Sequence, residues 1–221
     1  MPELILKLGG EEIPVQVSTA IIAGWTGRDQ TALEEHITEL EELGVQRPSS
    51  TPIFYRVSAS RLTTAREIES TPSSSGEVEA VLLHHAGRLW LGAGSDHTDR
   101  ELETYSVAAS KQLCEKPIAS DYWAYDEVAD HWDRLVIRSW IRTGSDEALY
   151  QEGTLEALLP ADRLLALAEP PLADGSLMFC GTVPARGGIR PAEEFRYELK
   201  DPVLGRTIAS AYVMGVLPLI S

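Results

Sequence analysis

Cysteine is nearly absent. The 221 residues hold two, Cys114 and Cys180, far apart and outside any Cys-x-x-Cys arrangement. That excludes a disulfide scaffold and a structural zinc site, and leaves two buried free thiols of a cytoplasmic protein as the expectation. Basic residues are also scarce: 19 Lys and Arg stand against 34 Asp and Glu, for a formal net charge of −15. Such a field repels phosphate backbones and anionic membrane surfaces, so we expect no nucleic-acid and no membrane partner. No apolar run approaches the length of a membrane span. Met1 to Gly10 has no basic leader followed by a long apolar stretch, and so does not read as a signal peptide. No internal repeat stands out, and no linker is long or polar enough to separate independent domains. We expect one domain over 1–221, with an N-terminal hairpin, strand and helix over 1–60 and a β-rich core over 61–221. Hydrophobic residues make up 43% and charged residues 24%, so the core needs no metal or disulfide to hold it.

What is present is mostly strand. Leu4–Leu8 and Glu12–Val17 read as a hairpin around Gly9-Gly10. Ala20–Gly24 is a short buried strand. Asp29–Leu43 carries apolar residues at Leu33, Ile37, Leu40 and Leu43, with Gly44 as a stop, and predicts a helix. Pro48–Pro52 reads as a turn and Ile53–Val57 as a strand. Ser70–Gly76 reads as a mobile loop that orders on binding. A hairpin turning at Ala86-Gly87 returns Arg88–Gly92. Helices are predicted over Asp99–Leu113 and Pro160–Ala168. Leu135–Arg142, Phe195–Leu199 and Ile208–Val216 alternate as strands. The expected class is α+β, predominantly β.

Glu77 and Glu79 are two apart in Gly76–Leu83, which reads as a buried strand. Side chains two apart share a face, here at the head of the row that continues with Val81 and Leu83. Two carboxylates in that setting repel each other and lose hydration. Without a cation between them, one is driven to take a proton; a hard divalent ion is the economical remedy. Asp96, in Gly94–Glu101, ends the strand expected to pair with this one and supplies a third carboxylate. Three such oxygens suit Mg²⁺ or Mn²⁺. Three further segments can carry chemistry. Ala23–Asp29 leads to His36, which sits at the border of the helix's apolar stripe and has the right chemistry for a general base. Met178–Gly188 is a strand running into a glycine-rich loop, able to offer N–H groups and a hydroxyl to an anion. Lys111 adds a cation. Zinc chemistry is disfavoured, because His84 and His85 point to opposite strand faces and no HExxH spacing occurs.

These segments, in this order, resemble the fumarylacetoacetate hydrolase family. Its opening turn is similar to Gly27-Arg28-Asp29, followed by His36, Glu39 and Pro52-Ile53-Phe54. Its Glu-x-Glu metal motif matches Glu77-Val78-Glu79, and its Asp-containing motif matches Ser95–Arg100. Its lysine resembles Lys111, and its Gly-Thr-Pro loop resembles Gly181–Pro184. More narrowly, Gly94–Arg100 and Ser110-Lys111-Gln112 look like a bacterial branch catalogued only as a domain of unknown function. The chain departs from the family pattern in having room only for a turn between Glu79 and Asp96, and in placing Trp25-Thr26 where no counterpart is assignable.

The resemblance implies a mixed β-sandwich or roll with a few short helices, and a homodimer. It also implies a metal-dependent enzyme acting on a 2-oxo or 1,3-dioxo acid, by C–C hydrolysis, decarboxylation or tautomerisation. Glu77, Glu79 and Asp96 would hold Mg²⁺ or Mn²⁺. Arg100 and Lys111 would offset developing negative charge. His36, oriented by Glu39 or Asp29, would take a proton. Arg28, Asp29, Gly181 and Thr182 would meet the substrate. Two alternatives stand: a hydratase or dehydratase of an unsaturated or sugar-derived oxo acid, and a non-catalytic protein of the same fold that binds a metal or an oxo acid.

Overall fold

The computed structural model describes residues 3–42, 47–169 and 171–220, without the side chains of His36 and Leu40. Strands dominate it. Its α-helices, among the described residues, are α1 (Gln30–Glu42), α2 (Arg100–Glu103), α3 (Val107–Leu113) and α4 (Ala161–Leu167). The expected helix ending at Leu43 and Gly44 runs out of the described residues there. None of these helices is long and apolar enough to cross a membrane.

Gly9 and Gly10, at φ 63° and 91°, join Glu3–Leu8 to Glu11–Gln16 as the expected hairpin. These strands begin an eight-stranded sheet. In spatial order it runs Glu11–Gln16, Glu3–Leu8, Asp121–Ala124, Arg88–Ser95, Val78–His85, Ser176–Phe179, Thr19–Gly24 and Ile53–Val57. A five-stranded sheet runs Asp146–Thr154, Val136–Thr143, Glu194–Asp201, Arg206–Val216 and Glu67–Ser70.

The Val78–His85 strand has apolar cover on both faces, which is why it reads as a nearly continuous apolar run. Val78, Ala80 and Leu82 join one core, with Ile137, Tyr150, Phe195, Tyr197 and Tyr212 of the five-stranded sheet. Val81 and Leu83 join a second core, with Leu6, Ile22, Tyr122 and Phe179. Glu79 has the parity of the second row and stands at its head, 2% exposed.

Two expectations need correction. Ser70–Gly76 is a packed segment, not a mobile loop: Ser70, Ser74 and Ser75 are buried, and Ser74–Ser75 pairs with Thr98–Asp99. A Cβ on Gly76 would come within 2.8 Å of the Phe195 ring. The small residues are there because the backbone is crowded, whereas the composition alone suggested freedom. The predicted helix over Asp99–Leu113 is two helices. Asp99 caps α2 by accepting from Leu102 N at 2.8 Å, and Ser106 caps α3 by accepting from Ala109 N at 3.2 Å. The break turns Ser110 and Lys111 inward.

Candidate metal centre

The hairpin register brings the three acids together. Ala86 and Gly87, both at positive φ, make the two-residue turn between His85 and Arg88. Counting back from the turn puts Glu79 opposite Gly94 and Val78 opposite Ser95, and Asp96 N donates to the Glu77 carbonyl at 2.9 Å. Glu77, Glu79 and Asp96 therefore share one face, and one oxygen from each lies within 4.8 Å of the others. Among the described residues this is the one cluster of its kind. Gly94, opposite Glu79, leaves room for the Phe179 ring, on which a Cβ there would press at 2.7 Å.

Cations ring the acids. Lys111 Nζ is 2.5 Å from Asp96 Oδ2, and Lys116 Nζ is 3.0 Å from Asp96 Oδ1. Lys116 is fully buried and also donates to the His97 carbonyl. Arg100 lies 3.2 Å from Glu77 and 2.9 Å from Glu103, and its Nε donates to Ser75 Oγ at 2.7 Å. Glu79 accepts from Gly181 N at 2.6 Å. Gly181 sits at φ 100°, and a Cβ there would run into Thr26, so glycine is required twice over.

Burial, with the charges of Asp96 and Glu77 beside it, pushes the Glu79 carboxyl well above its ordinary range. Burial acts on Asp96 in the same direction, but the two ammonium groups more than offset it and hold that carboxyl well below its usual value. Burial would depress Lys111, yet Asp96, Glu77 and Glu103 keep it firmly protonated. Lys116 is lowered by burial.

The residues fit a divalent ion. All donors are hard carboxylate oxygens, as Mg²⁺ and Mn²⁺ prefer. Asp96 Oδ1 is buried with no well-aligned hydrogen-bond donor, although Lys116 Nζ is near it. The Glu77 side chain is 16% exposed and leaves an approach. Glu79 bears the repulsion that a cation would relieve.

Of the sequence candidates, the fold gathers Glu77, Glu79, Asp96, Arg100, Lys111 and Gly181. Others have different duties. Arg28 makes a two-pronged pair with Asp133 at 2.8 and 2.6 Å and donates to the Leu158 carbonyl. Asp29 caps α1 by accepting from Thr31 N and Ala32 N. Thr182 donates to the Val78 carbonyl at 2.7 Å and accepts from Gln151 at 2.8 Å. The hydrogen bonds that Arg28, Asp29 and Thr182 make here brace the protein itself, and the substrate contacts expected of them stay an expectation. Glu39 is on an exposed part of α1, and the side chain of His36 lies outside the described residues.

The sequence pattern gave no sign of Lys116's role, of Gln151 or of a buried polar chain. Gln151 accepts from Val78 N and Ser139 Oγ while donating to Thr182, so it locks the glutamate strand to the five-stranded sheet. His97 Nδ1 is 2.8 Å from Tyr212 Oη, which is 2.9 Å from Ser95 Oγ. Burial and the charges of Lys116 and Arg100 depress His97 to about 3, so it is neutral.

Solved structures share this architecture. A protein from Oleispira antarctica, described as a fumarylacetoacetate isomerase/hydrolase, is 18% identical with a TM-score of 0.71, over 97% of this chain and all of that one. A yeast fumarylacetoacetate hydrolase family protein, ynq8, is 15% identical at 0.63, over 92% and 95%. A 2-keto-3-deoxy-D-arabinonate dehydratase, solved with magnesium and 2,5-dioxopentanoate, is 15% identical at 0.60, over 92% and 75%. No curated protein matches the sequence significantly. The fold is thus that of fumarylacetoacetate hydrolase proteins. The chain itself belongs to the family described as "Protein of unknown function (DUF2848)", whose model matches residues 23–212.

Proposed function

We propose that this protein is a divalent-metal-dependent enzyme acting on a 2-oxo or 1,3-dioxo acid. The observation that carries this reading is the convergence of Glu77, Glu79 and Asp96 within 4.8 Å, ringed by Arg100, Lys111 and Lys116. A Mg²⁺ or Mn²⁺ ion held by those three carboxylates would supply the charge on which an enolate can rest as a bond breaks or a proton leaves. Four carboxylates, counting Glu103, face three cations, so two added positive charges turn a net negative site into a net positive one. That balance favours an anionic ligand.

Lys111 is the cation best placed to meet such an anion, because its other partner, Asp96, is shared with Lys116. Arg100 holds Glu77 in place from the Ser75 side. Gly181 N–H fixes Glu79. Among the sequence candidates, His36 on α1 is retained as the proton acceptor on its position in the helix pattern.

Dehydration of a sugar-derived oxo acid is a second reading, supported by the likeness to the dehydratase solved with magnesium. Incubating the protein and Glu79→Gln with acylpyruvates, oxaloacetate and deoxy-oxo acids, with and without Mn²⁺, separates the two. We expect metal-dependent turnover of one class by the wild type and none by the variant. Turnover that is unchanged in Glu79→Gln, or that ignores Mn²⁺, would overturn the metal-dependent reading.

A further inference from the structure

Of the three cations around the acids, Lys116 is the most deeply set. Its side chain is 0% exposed, against 9% for Lys111 and 15% for Arg100. The backbone that carries it is pinned on two sides. Lys116–Pro117 pairs with Leu62–Thr63, Ile118 N donates to the Thr63 carbonyl at 2.8 Å, and Ala119 N donates to the Ala93 carbonyl at 2.8 Å. Lys116 is thus a charge built into the frame, whereas Lys111 stands on the short helix α3 at the edge of the cluster.

Two ammonium groups share one carboxylate. Lys111 Nζ donates to Asp96 Oδ2, and Lys116 Nζ stands 3.0 Å from Oδ1 while donating to the His97 carbonyl. Oδ1 has no well-aligned donor, so Lys116 acts on it by charge and leaves its lone pairs open. The two groups that Lys116 faces, a carboxylate and a carbonyl oxygen, both favour the ammonium form. Arg100 is balanced differently, standing between two acids, Glu77 and Glu103. Around Asp96, one negative charge meets two positive ones, out of reach of solvent screening. A divalent ion arriving at Asp96 is therefore repelled by a cation that cannot move aside. An anion arriving with the ion offsets that repulsion, and Lys111 can leave Asp96 to Lys116 and turn to the newcomer.

We propose that Lys116 is a positioning residue that makes the ion and the acid bind as a pair. Acting through Asp96, it weakens the protein's hold on the ion alone and frees Lys111 to meet the acid's carboxylate. The inference rests on the proposed function, because it takes the Glu77, Glu79 and Asp96 cluster as the ion's site. The reacting centre is then assembled mainly when the acid is present.

The test is Mn²⁺ affinity, read from the electron paramagnetic resonance of the free ion, with and without oxalate. It is measured in the wild type, in Lys116→Met and in Lys116→Gln, which keeps a donor for the His97 carbonyl. In the wild type, oxalate should tighten Mn²⁺ binding by at least about tenfold, and this ratio tests the pairing without any variant. In both variants Mn²⁺ alone should bind at least about fivefold tighter than to the wild type, and the tightening by oxalate should shrink by a similar factor. The sign separates charge from support. A lysine that only braced the site would loosen it on removal and weaken Mn²⁺ binding. Mn²⁺ binding that oxalate leaves unchanged in the wild type, or Mn²⁺ affinity that is unaltered or lowered in a folded variant, would overturn the proposal and leave the metal centre standing. Failure of Mn²⁺ to bind the wild type with or without oxalate would overturn the proposed function, and this inference with it.

Discussion

The acid cluster and the outer face of the five-stranded sheet use the same side chains to opposite ends. On the sheet, Arg138 lies directly across from Glu152 and Glu198 and pairs with both, and Arg142 lies across from Glu194. Arg196 adds a pair to Glu147. These groups are 18–47% exposed, so each keeps much of its hydration and the pairing adds little. In the cluster Asp96, Glu79 and Lys116 are 0–2% exposed, so every charge depends on its neighbours. Glu-x-Glu on a strand has no meaning by itself. What decides it is whether the face it occupies is wet.

The strongest way to break the comparison is Asp96→Asn. It leaves Lys111 and Lys116 buried without their counter-charge, and we expect a loss of about 3–5 kcal/mol in urea unfolding, together with loss of Mn²⁺ binding. A cost below about 1 kcal/mol would put Asp96 in the same class as the sheet pairs.

Glu79→Gln separates affinity from stability. It keeps an acceptor for Gly181 N–H but removes one of three mutually repelling carboxylates. Mn²⁺ affinity should fall by more than about 100-fold, beyond the 10–100-fold typical of a ligand's outer partners. Metal-free stability should stay level or rise. A large drop in metal-free stability would make Glu79 a scaffold residue.

Gly181→Ala tests the support of the cluster. The clash with Thr26 and the φ of 100° should cost about 1–3 kcal/mol in thermal unfolding and weaken Mn²⁺ binding.

Asp133→Asn should have the smallest effect. The Arg28 guanidinium donates to Asp133 and holds its carboxyl below the ordinary value. A depressed folded pKa means the contribution is present above the unfolded value, near about 3.9, and disappears as pH falls through the folded one. The pair is solvent-screened, with Asp133 47% exposed, so the change at neutral pH should stay under about 1 kcal/mol, with ligand binding untouched. A shift in oxo-acid affinity in this variant would place Arg28 at the substrate site.

Much of this was legible in the chain because short-range rules govern it. Gly9-Gly10 and Ala86-Gly87 fix two hairpins, and the second sets the register that aligns Asp96 with Glu77 and Glu79. The period-two alternation placed both glutamates on one face. Residues whose role comes from distant partners were not legible. Lys116 matters through Asp96, far back along the chain, and Gln151 through Val78 and Thr182, and neither leaves a local pattern. Ser70–Gly76 misled because serine and glycine mark both a free loop and a crowded backbone. The internal hydrogen bonds of Arg28, Asp29 and Thr182 were not legible, because a motif gives the residue type and leaves the direction of the side chain open.

The most direct test of the account is the anomalous signal from a crystal soaked with Mn²⁺ and oxalate. The account predicts one strong peak about 2.0–2.2 Å from oxygens of Glu77, Glu79 and Asp96 together, with oxalate completing its coordination. A map with no peak there, while Lys111 and Lys116 still grip Asp96 and Arg100 still holds Glu77, would contradict it.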